Sequence, residues 1–264
     1  MTAEPEVLAI RYGTVQTTRS AVFHDYDQYG EPDAPAQMDY FFWLIRGQDC
    51  GTVLVDTGFD PRVGRRRGRT CLVDPVAALA GLGVAAAEVQ QVVVTHLHYD
   101  HIGNLAAFPA ATVTVAAAEL EFWFGSGPAQ AGCLDLAEPA EIDGLKDAVR
   151  QGRVRSVERE TSELAGLQIR LVGGHTPGQL VVSVPTAGGR VVLASDAVHF
   201  AEEMRRDRPH QLVTDMAAMR AAYAWLRAEE QAGALVIAGH DPAVTSRFET
   251  VATLGGGSAL RLAS

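Results

Sequence analysis

Hydrophobic positions along this chain keep two different periods, and the changes of period mark out its elements. Residues 38–46 and 52–56 are rich in β-branched and aromatic side chains and are joined through Gly47-Gln48-Asp49-Cys50-Gly51, so they read as a hairpin pair of strands. Further strands are expected at 92–95, 112–115, 168–172, 180–184, 190–194 and 235–238. Helical spacing appears at 75–82, with Asp74 as N-cap and Pro75 opening the first turn, and again at 117–124, 142–150 and 214–232. In the last and longest of these, Met216, Met219, Ala222, Tyr223 and Leu226 share one face as core filling. Gly125-Ser126-Gly127-Pro128 interrupts the pattern as a chain break. Strands and helices alternate without a linker or an internal repeat. Residues 1–264 are therefore expected to fold as one α/β domain, with mixed sheets covered by helices.

Several strands run into side chains that bind metals. The loop after Val92-Val93-Val94 reads Thr95-His96-Leu97-His98-Tyr99-Asp100-His101, a His-x-His-x-Asp-His cluster. Later strands lead into His175 within Gly173-Gly174-His175-Thr176-Pro177-Gly178, into Asp196 after Val191-Val192-Leu193-Ala194-Ser195, and into His240 after Leu235-Val236-Ile237-Ala238-Gly239. A lone histidine on such a turn is more often structural. Together, imidazole and carboxylate at this spacing are the donors that zinc takes at about 2.0–2.2 Å. His96, His98, Asp100, His101, His175, Asp196 and His240 are therefore the candidate metal ligands. Seven donors exceed one four-coordinate ion and suit two divalent ions sharing one carboxylate. Zinc is the expected metal, and iron, manganese and cobalt accept the same donors.

Composition narrows the setting. With 47% hydrophobic residues the chain can fill a core without disulfides. Its three cysteines, Cys50, Cys71 and Cys133, are widely spaced, so buried free thiols in a reducing compartment are expected. Residues 1–6 lack the basic and apolar regions of a signal peptide, and no apolar run approaches the ~20 residues of a membrane span; the expected location is the cytoplasm. A net charge of −10 weighs against nucleic acid as a partner, because phosphate contacts need Lys and Arg in number. The run Arg65-Arg66-Arg67-Gly68-Arg69 is the local exception. It reads as a solvated loop, with a rim contact to substrate or to a second subunit of a homodimer as the alternative.

On these residues the chain resembles the metallo-β-lactamase superfamily over residues 38–245, where the same His-x-His-x-Asp-His, His, Asp and His occur in the same order. The resemblance implies an αββα sandwich, two mixed sheets flanked by helices. It also implies one metal on His96, His98 and His175 and another on Asp100, His101 and His240, with Asp196 bridging. Asp56, in Asp56-Thr57-Gly58, is similar to the superfamily's early Asp-Thr-Gly segment and would orient a ligand histidine. Aspartate at position 196, where the best-known zinc β-lactamases carry cysteine, resembles glyoxalase II, the tRNA-processing ribonucleases and the N-acyl homoserine lactonases. Glyoxalase II has an extra C-terminal helical part, for which the 24 residues after His240 are too few. The ribonucleases rely on basic exosites, which the acidic balance disfavours. The compact lactonase group remains, and 195–200 and His240-Asp241-Pro242 are similar to it.

The resemblance thus implies a metal-dependent hydrolase that opens a lactone ring, above all an N-acyl homoserine lactone, with a hydroxide held between two metal ions. Asp100 would carry a proton to the leaving oxygen. Well-studied lactonases place a tyrosine three residues after the bridging aspartate; here His199 stands there, where an imidazole N–H would meet the substrate carbonyl. Asp100 and His199 are accordingly the candidate catalytic residues. The alternatives are hydrolysis of another lactone or a thioester in secondary metabolism, a mononuclear-iron persulfide dioxygenase, a phosphodiesterase and a metal-binding protein without catalysis. Retention of Asp100, His101 and His240 favours two metals over one. For specificity, Tyr40-Phe41-Phe42-Trp43 reads mainly as packing, whereas Phe122-Trp123-Phe124 reads as the wall of an acyl groove contacted by Trp123 and Phe124.

Overall fold

Two mixed sheets account for the strands of the computed structural model, which describes residues 5–263. Most of the acidic start read above, residues 1–4, lies outside the described residues. The larger sheet has nine strands. Its order is Glu249–Leu254, Gly257–Ala263, Glu6–Thr18, Pro35–Gly47, Gly51–Val55, Gln91–Val93, Thr112–Ala116 and Val154–Val157, with Thr70–Cys71 paired to the far part of Glu6–Thr18. Neighbours run antiparallel as far as Gly51–Val55 and parallel beyond it. The smaller sheet runs Leu235–Ala238, Gly189–Ser195, Leu180–Thr186, Leu167–Leu171, Thr161–Leu164, and only its first pair is parallel.

Side-chain alternation divides the core into layers. Val7, Phe41, Trp43, Ile45 and Val55 of the large sheet meet Ile169, Val182, Leu193 and Ile237 of the small one. On its other face the large sheet turns Leu8, Ile10, Phe42 and Leu44 toward helices Pro75–Gly81, Ala117–Phe124 and Pro139–Arg150. The small sheet likewise turns Val181, Val192 and Val236 toward Ala201–Arg206 and Met216–Gln231, which contribute Met204, Met219, Tyr223 and Leu226. The result is the αββα sandwich. Each fully buried side chain of this size contributes roughly 1.5–3 kcal/mol. Because both faces of Pro35–Gly47 are covered, all four aromatics of 40–43 are buried: Phe41 and Trp43 between the sheets, Tyr40 and Phe42 under the helices.

Local signals place some boundaries well. Helix Pro75–Gly81 starts where the Asp74 carboxylate accepts from Ala77 N at 2.9 Å, and Met216–Gln231 where Asp215 accepts from Ala217 N and Ala218 N. Other readings are corrected. The arginine run is no loop at its start: Asp60 caps and Pro61 opens a short helix, Pro61–Arg66. Arg66 and Arg67 then pair with Glu138. The break at 125–128 is confined to its first residues, because Pro128 opens a further short helix, Gly127–Ala131. The cysteines are free, as expected, but half-buried rather than buried. No helix among the described residues is long and apolar enough to cross a membrane.

Candidate metal centre

The candidate ligands leave the C-terminal ends of strands and meet at one edge of the sandwich. Parallel pairing of Gly51–Val55 with Gln91–Val93, and of Gly189–Ser195 with Leu235–Ala238, aims these ends the same way. The turns are tight. Asp56 (φ 64°) and Ser195 (φ 47°) hold left-handed backbone, which non-glycine residues seldom adopt. Gly239 leaves no space for a side chain, since a Cβ there would stand 2.7 Å from the Ser195 carbonyl carbon and 2.9 Å from Asp196 Oδ1.

Among the described residues the donors converge in three groups, two of which hold the seven candidates, while the third joins His175 to His199 and His210. His96, His98, His175 and Asp196 bring one donor atom each within 4.8 Å of one another, and Asp100, His101 and His240 do the same beside them. Asp196 faces both. Its Oδ2 is 3.8 Å from His96 Nε2 and 3.5 Å from His175 Nε2, while its Oδ1 is 3.3 Å from His101 Nε2 and 3.1 Å from His240 Nε2. Asp100 Oδ2 lies 3.7 Å from His101 Nε2 and 3.8 Å from His240 Nε2. All seven side chains are buried.

Three of the rings are turned by what their other nitrogen touches. His101 Nδ1 meets Asp56 Oδ2 at 2.8 Å, His175 Nδ1 meets Leu212 O at 2.9 Å, and His240 Nδ1 meets Asp39 O at 2.8 Å. Donation on that side leaves the Nε2 lone pair facing inward. Asp56, the early aspartate of the sequence pattern, also accepts from Thr95 N at 2.8 Å and Thr95 Oγ1 at 2.9 Å. By contrast, His96 Nε2, His101 Nε2 and Asp196 Oδ1 are buried with no hydrogen-bond partner. Unpartnered buried polar atoms are rare, and three that converge fit a site made for a cation. Electrostatics agrees. Burial, reinforced by neighbouring imidazoles, pushes His96 and His98 well below the usual histidine range, and burial takes His175 down to about 3. These rings are neutral near pH 7, with lone pairs available. At His101 burial acts the same way, but the carboxylates of Asp196, Asp56 and Asp100 outweigh it and raise its pKa.

His199 is also at the centre, though its geometry differs from the sequence expectation. Its Nε2 lies 3.0 Å from Asp196 Oδ2 and its Nδ1 3.4 Å from Glu203 Oε1. Burial alone would lower its pKa, but these two carboxylates raise it to about 10. The ring is clasped between carboxylates, not free in the cavity. The expected acyl-groove contacts also change. Trp123 is buried edge-on to His98 and donates Nε1–H to Glu119 at 2.8 Å, and Phe124 faces Lys146. It is Phe122 that faces the open space.

Sequence reasoning misses two further residues. Glu119 is fully buried and accepts from Leu97 N at 2.9 Å and Gly178 N at 2.9 Å, tying the loop of His96 and His98 to that of His175. A glutamate in a helix ordinarily reads as solvated, and nothing local marks this one. His210 stacks on His199 with ring centroids 3.6 Å apart. Its Nδ1 accepts from Leu212 N at 3.1 Å, so Nε2 carries the hydrogen, and no acceptor meets it among the described residues. The strand-then-ligand pattern passes over His210, because a turn through Pro209 precedes it and an isolated bridge to Phe23 positions it.

Two cavities reach the centre. One, of about 360 Å³, is lined by Asp100, Asp196, His199, His210 and His240 together with Tyr40, Arg69 and Tyr99. The second, of about 1080 Å³, opens from His98 and His175 between Phe122, Leu136, Pro177 and Leu212.

This sandwich, with convergent His and Asp donors at its edge, defines the class: the chain belongs to the metallo-β-lactamase superfamily, whose family model matches residues 39–240, and it is a metallo-hydrolase of that kind. Two relatives are similar in sequence. The N-acyl homoserine lactonase AttM of Rhizobium johnstonii is 30% identical over 232 residues, 79% of this chain and 84% of that protein. The N-acyl homoserine lactonase AttM of Azorhizobium caulinodans is 28% identical over 192 residues, 66% of each chain. In fold, the chain is similar to AidC, a dizinc quorum-quenching lactonase solved with a product bound, at a TM-score of 0.71 and 17% identity, over 100% of this chain and 97% of that one.

Proposed function

We propose that the protein is a dinuclear metal-dependent lactonase acting on N-acyl homoserine lactones or on small lactones of related shape. The observation that carries this reading is the Asp196 carboxylate, with one oxygen facing each donor group. The lactonase names of its relatives support the substrate class. His96, His98 and His175 would hold one ion, Asp100, His101 and His240 the other, and Asp196 both. Zinc is the first metal to test, and iron, manganese and cobalt suit the same donors. When bound, such a pair supplies Lewis acidity and a hydroxide at neutral pH.

The chain's own groups do the rest. Asp100 lines the smaller cavity and is placed to pass a proton to the leaving ring oxygen. His199 holds Asp196 in orientation through the 3.0 Å contact, and Glu203 holds His199. The N–H that meets the substrate carbonyl would then come from His210, whose Nε2 meets no acceptor among the described residues. The larger cavity, between Phe122 and Leu212, takes the acyl chain. Both cavities suit a small molecule rather than a nucleic acid.

Elemental analysis of the purified protein is expected to find two metal ions per chain, and pH-stat titration to show opening of N-acyl homoserine lactones. One iron per chain with oxygen consumption on a persulfide would replace this reading with the dioxygenase. Two ions without lactone opening would keep the centre and move the substrate. His210→Ala is expected to lower kcat about 10²-fold, the usual cost of one donor to a developing oxyanion, with metal content kept. An unchanged kcat would remove His210 from the reacting site.

A further inference from the structure

Arg69 lines the smaller cavity together with Asp100, Asp196 and His240, with Tyr99 beside it. Its placement is built. After helix Pro61–Arg66 the chain turns at Gly68 (φ 71°), Arg69 N returns to Gly64 O at 2.8 Å, and Thr70–Cys71 then joins the large sheet. The guanidinium is half-buried and directed by two contacts: Nε–H donates to Tyr99 Oη at 3.0 Å and Nη1–H to Arg67 O at 2.9 Å. Its Nη2 meets no acceptor among the described residues.

The charge is what needs explaining. Glu138 takes Arg66 and Arg67, but no carboxylate forms an ion pair with Arg69 among the described residues. Asp100, which lines the same cavity and whose charge acts on Arg69, turns its Oδ2 to His101 and His240. Burial disfavours the Arg69 charge while Tyr40, Tyr99 and Asp100 favour it, and a half-buried guanidinium with a free edge in a cavity wall is a ready contact for an anion. Tyr99 Oη accepts from Arg69 and shares a hydrogen bond with the Tyr40 hydroxyl, so one phenolic hydrogen of the pair is left as a second donor.

We propose that Arg69 Nη2 and the Tyr99 hydroxyl form a carboxylate subsite, so that the substrate opened at this centre carries a carboxylate apart from its reacting ester bond. The proposal rests on the hydrolase reading above and narrows it to its second branch, small lactones, by favouring those that carry a carboxylate over N-acyl homoserine lactones, which carry none. A cavity of about 360 Å³ shared by Arg69 and Asp196 keeps such a molecule small, with its acid and its ring carbonyl at opposite ends.

The test uses the metal-loaded enzyme and two matched substrates, a γ-lactone with a carboxylate on the ring and its methyl ester. The acid is expected to be opened with a kcat/KM roughly 10- to 100-fold above the ester, the difference lying in KM, as loss of a charge-assisted hydrogen bond predicts. Arg69→Gln is expected to bring that ratio close to one, and Arg69→Lys to restore part of it. Equal rates on acid and ester in the wild type, or an Arg69→Gln variant that keeps the preference, overturns the subsite. If neither lactone is opened, calorimetry of the opened hydroxy-dicarboxylate against its monomethyl ester decides. Tighter binding of the diacid that depends on Arg69 keeps the subsite while the lactone reading falls, and equal binding ends both.

Discussion

Asp196→Ala is expected to abolish hydrolysis while the fold survives. Among the described residues this carboxylate alone faces both donor groups, with Oδ2 toward His96 and His175 and Oδ1 toward His101 and His240. Without it the two groups are no longer linked, and the loss in kcat should be at least the roughly 10²–10³-fold that removing one transition-state contact costs. The fold should tolerate the change for a physical reason. Asp196 follows strand Gly189–Ser195 and touches imidazoles, not the apolar layers, so its removal leaves no cavity in the core. Circular dichroism should show a native spectrum with Tm within a few degrees, and elemental analysis fewer than two ions per chain. His101→Ala should behave alike. A fully active Asp196→Ala variant holding one metal would sink the dinuclear reading.

The second large effect is expected from Asp56, which touches neither cavity. Its carboxylate accepts from His101 Nδ1, Thr95 N and Thr95 Oγ1, and Ser195 Oγ lies 3.4 Å away. Alanine there strands several buried donors, at about 1–3 kcal/mol each if water cannot reach them. It also releases the His101 ring, and loss of such an orienting partner typically weakens metal binding about 10- to 100-fold. Asparagine tolerates the left-handed backbone at φ 64° and keeps one acceptor oxygen, so Asp56→Asn should fall between wild type and Asp56→Ala. Chemical denaturation and metal titration of the three proteins read the two effects separately. If Asp56→Ala matched wild type in both, the contacts around Asp56 would have no part in holding the centre.

Much of this was legible in the sequence, for local reasons. Short apolar, β-branched runs lead into His or Asp at four places, and the runs themselves become Gln91–Val93, Leu167–Leu171, Gly189–Ser195 and Leu235–Ala238. Caps at Asp74 and Asp215 work through neighbours three residues away or fewer, so composition alone announces those helices. The strands Glu249–Leu254 and Gly257–Ala263 are different. They are dilute in aromatic residues and exist because Gly257–Ala263 pairs with Glu6–Thr18 at the far end of the chain.

The sequence by itself therefore determines most kinds of element and the candidate donor residues, because these depend on neighbours along the chain, while the αββα class follows from the family resemblance. Only the tertiary structure decides which nitrogen of a ligand histidine points inward, that His199 is held by Glu203, that Phe122 rather than Trp123 faces open space, and that no carboxylate among the described residues forms an ion pair with Arg69. Each of those facts depends on a partner brought from a distant element by strand pairing and sheet packing. Hydrogen bonds and ion pairs act over a few ångströms in space, whatever the separation along the chain.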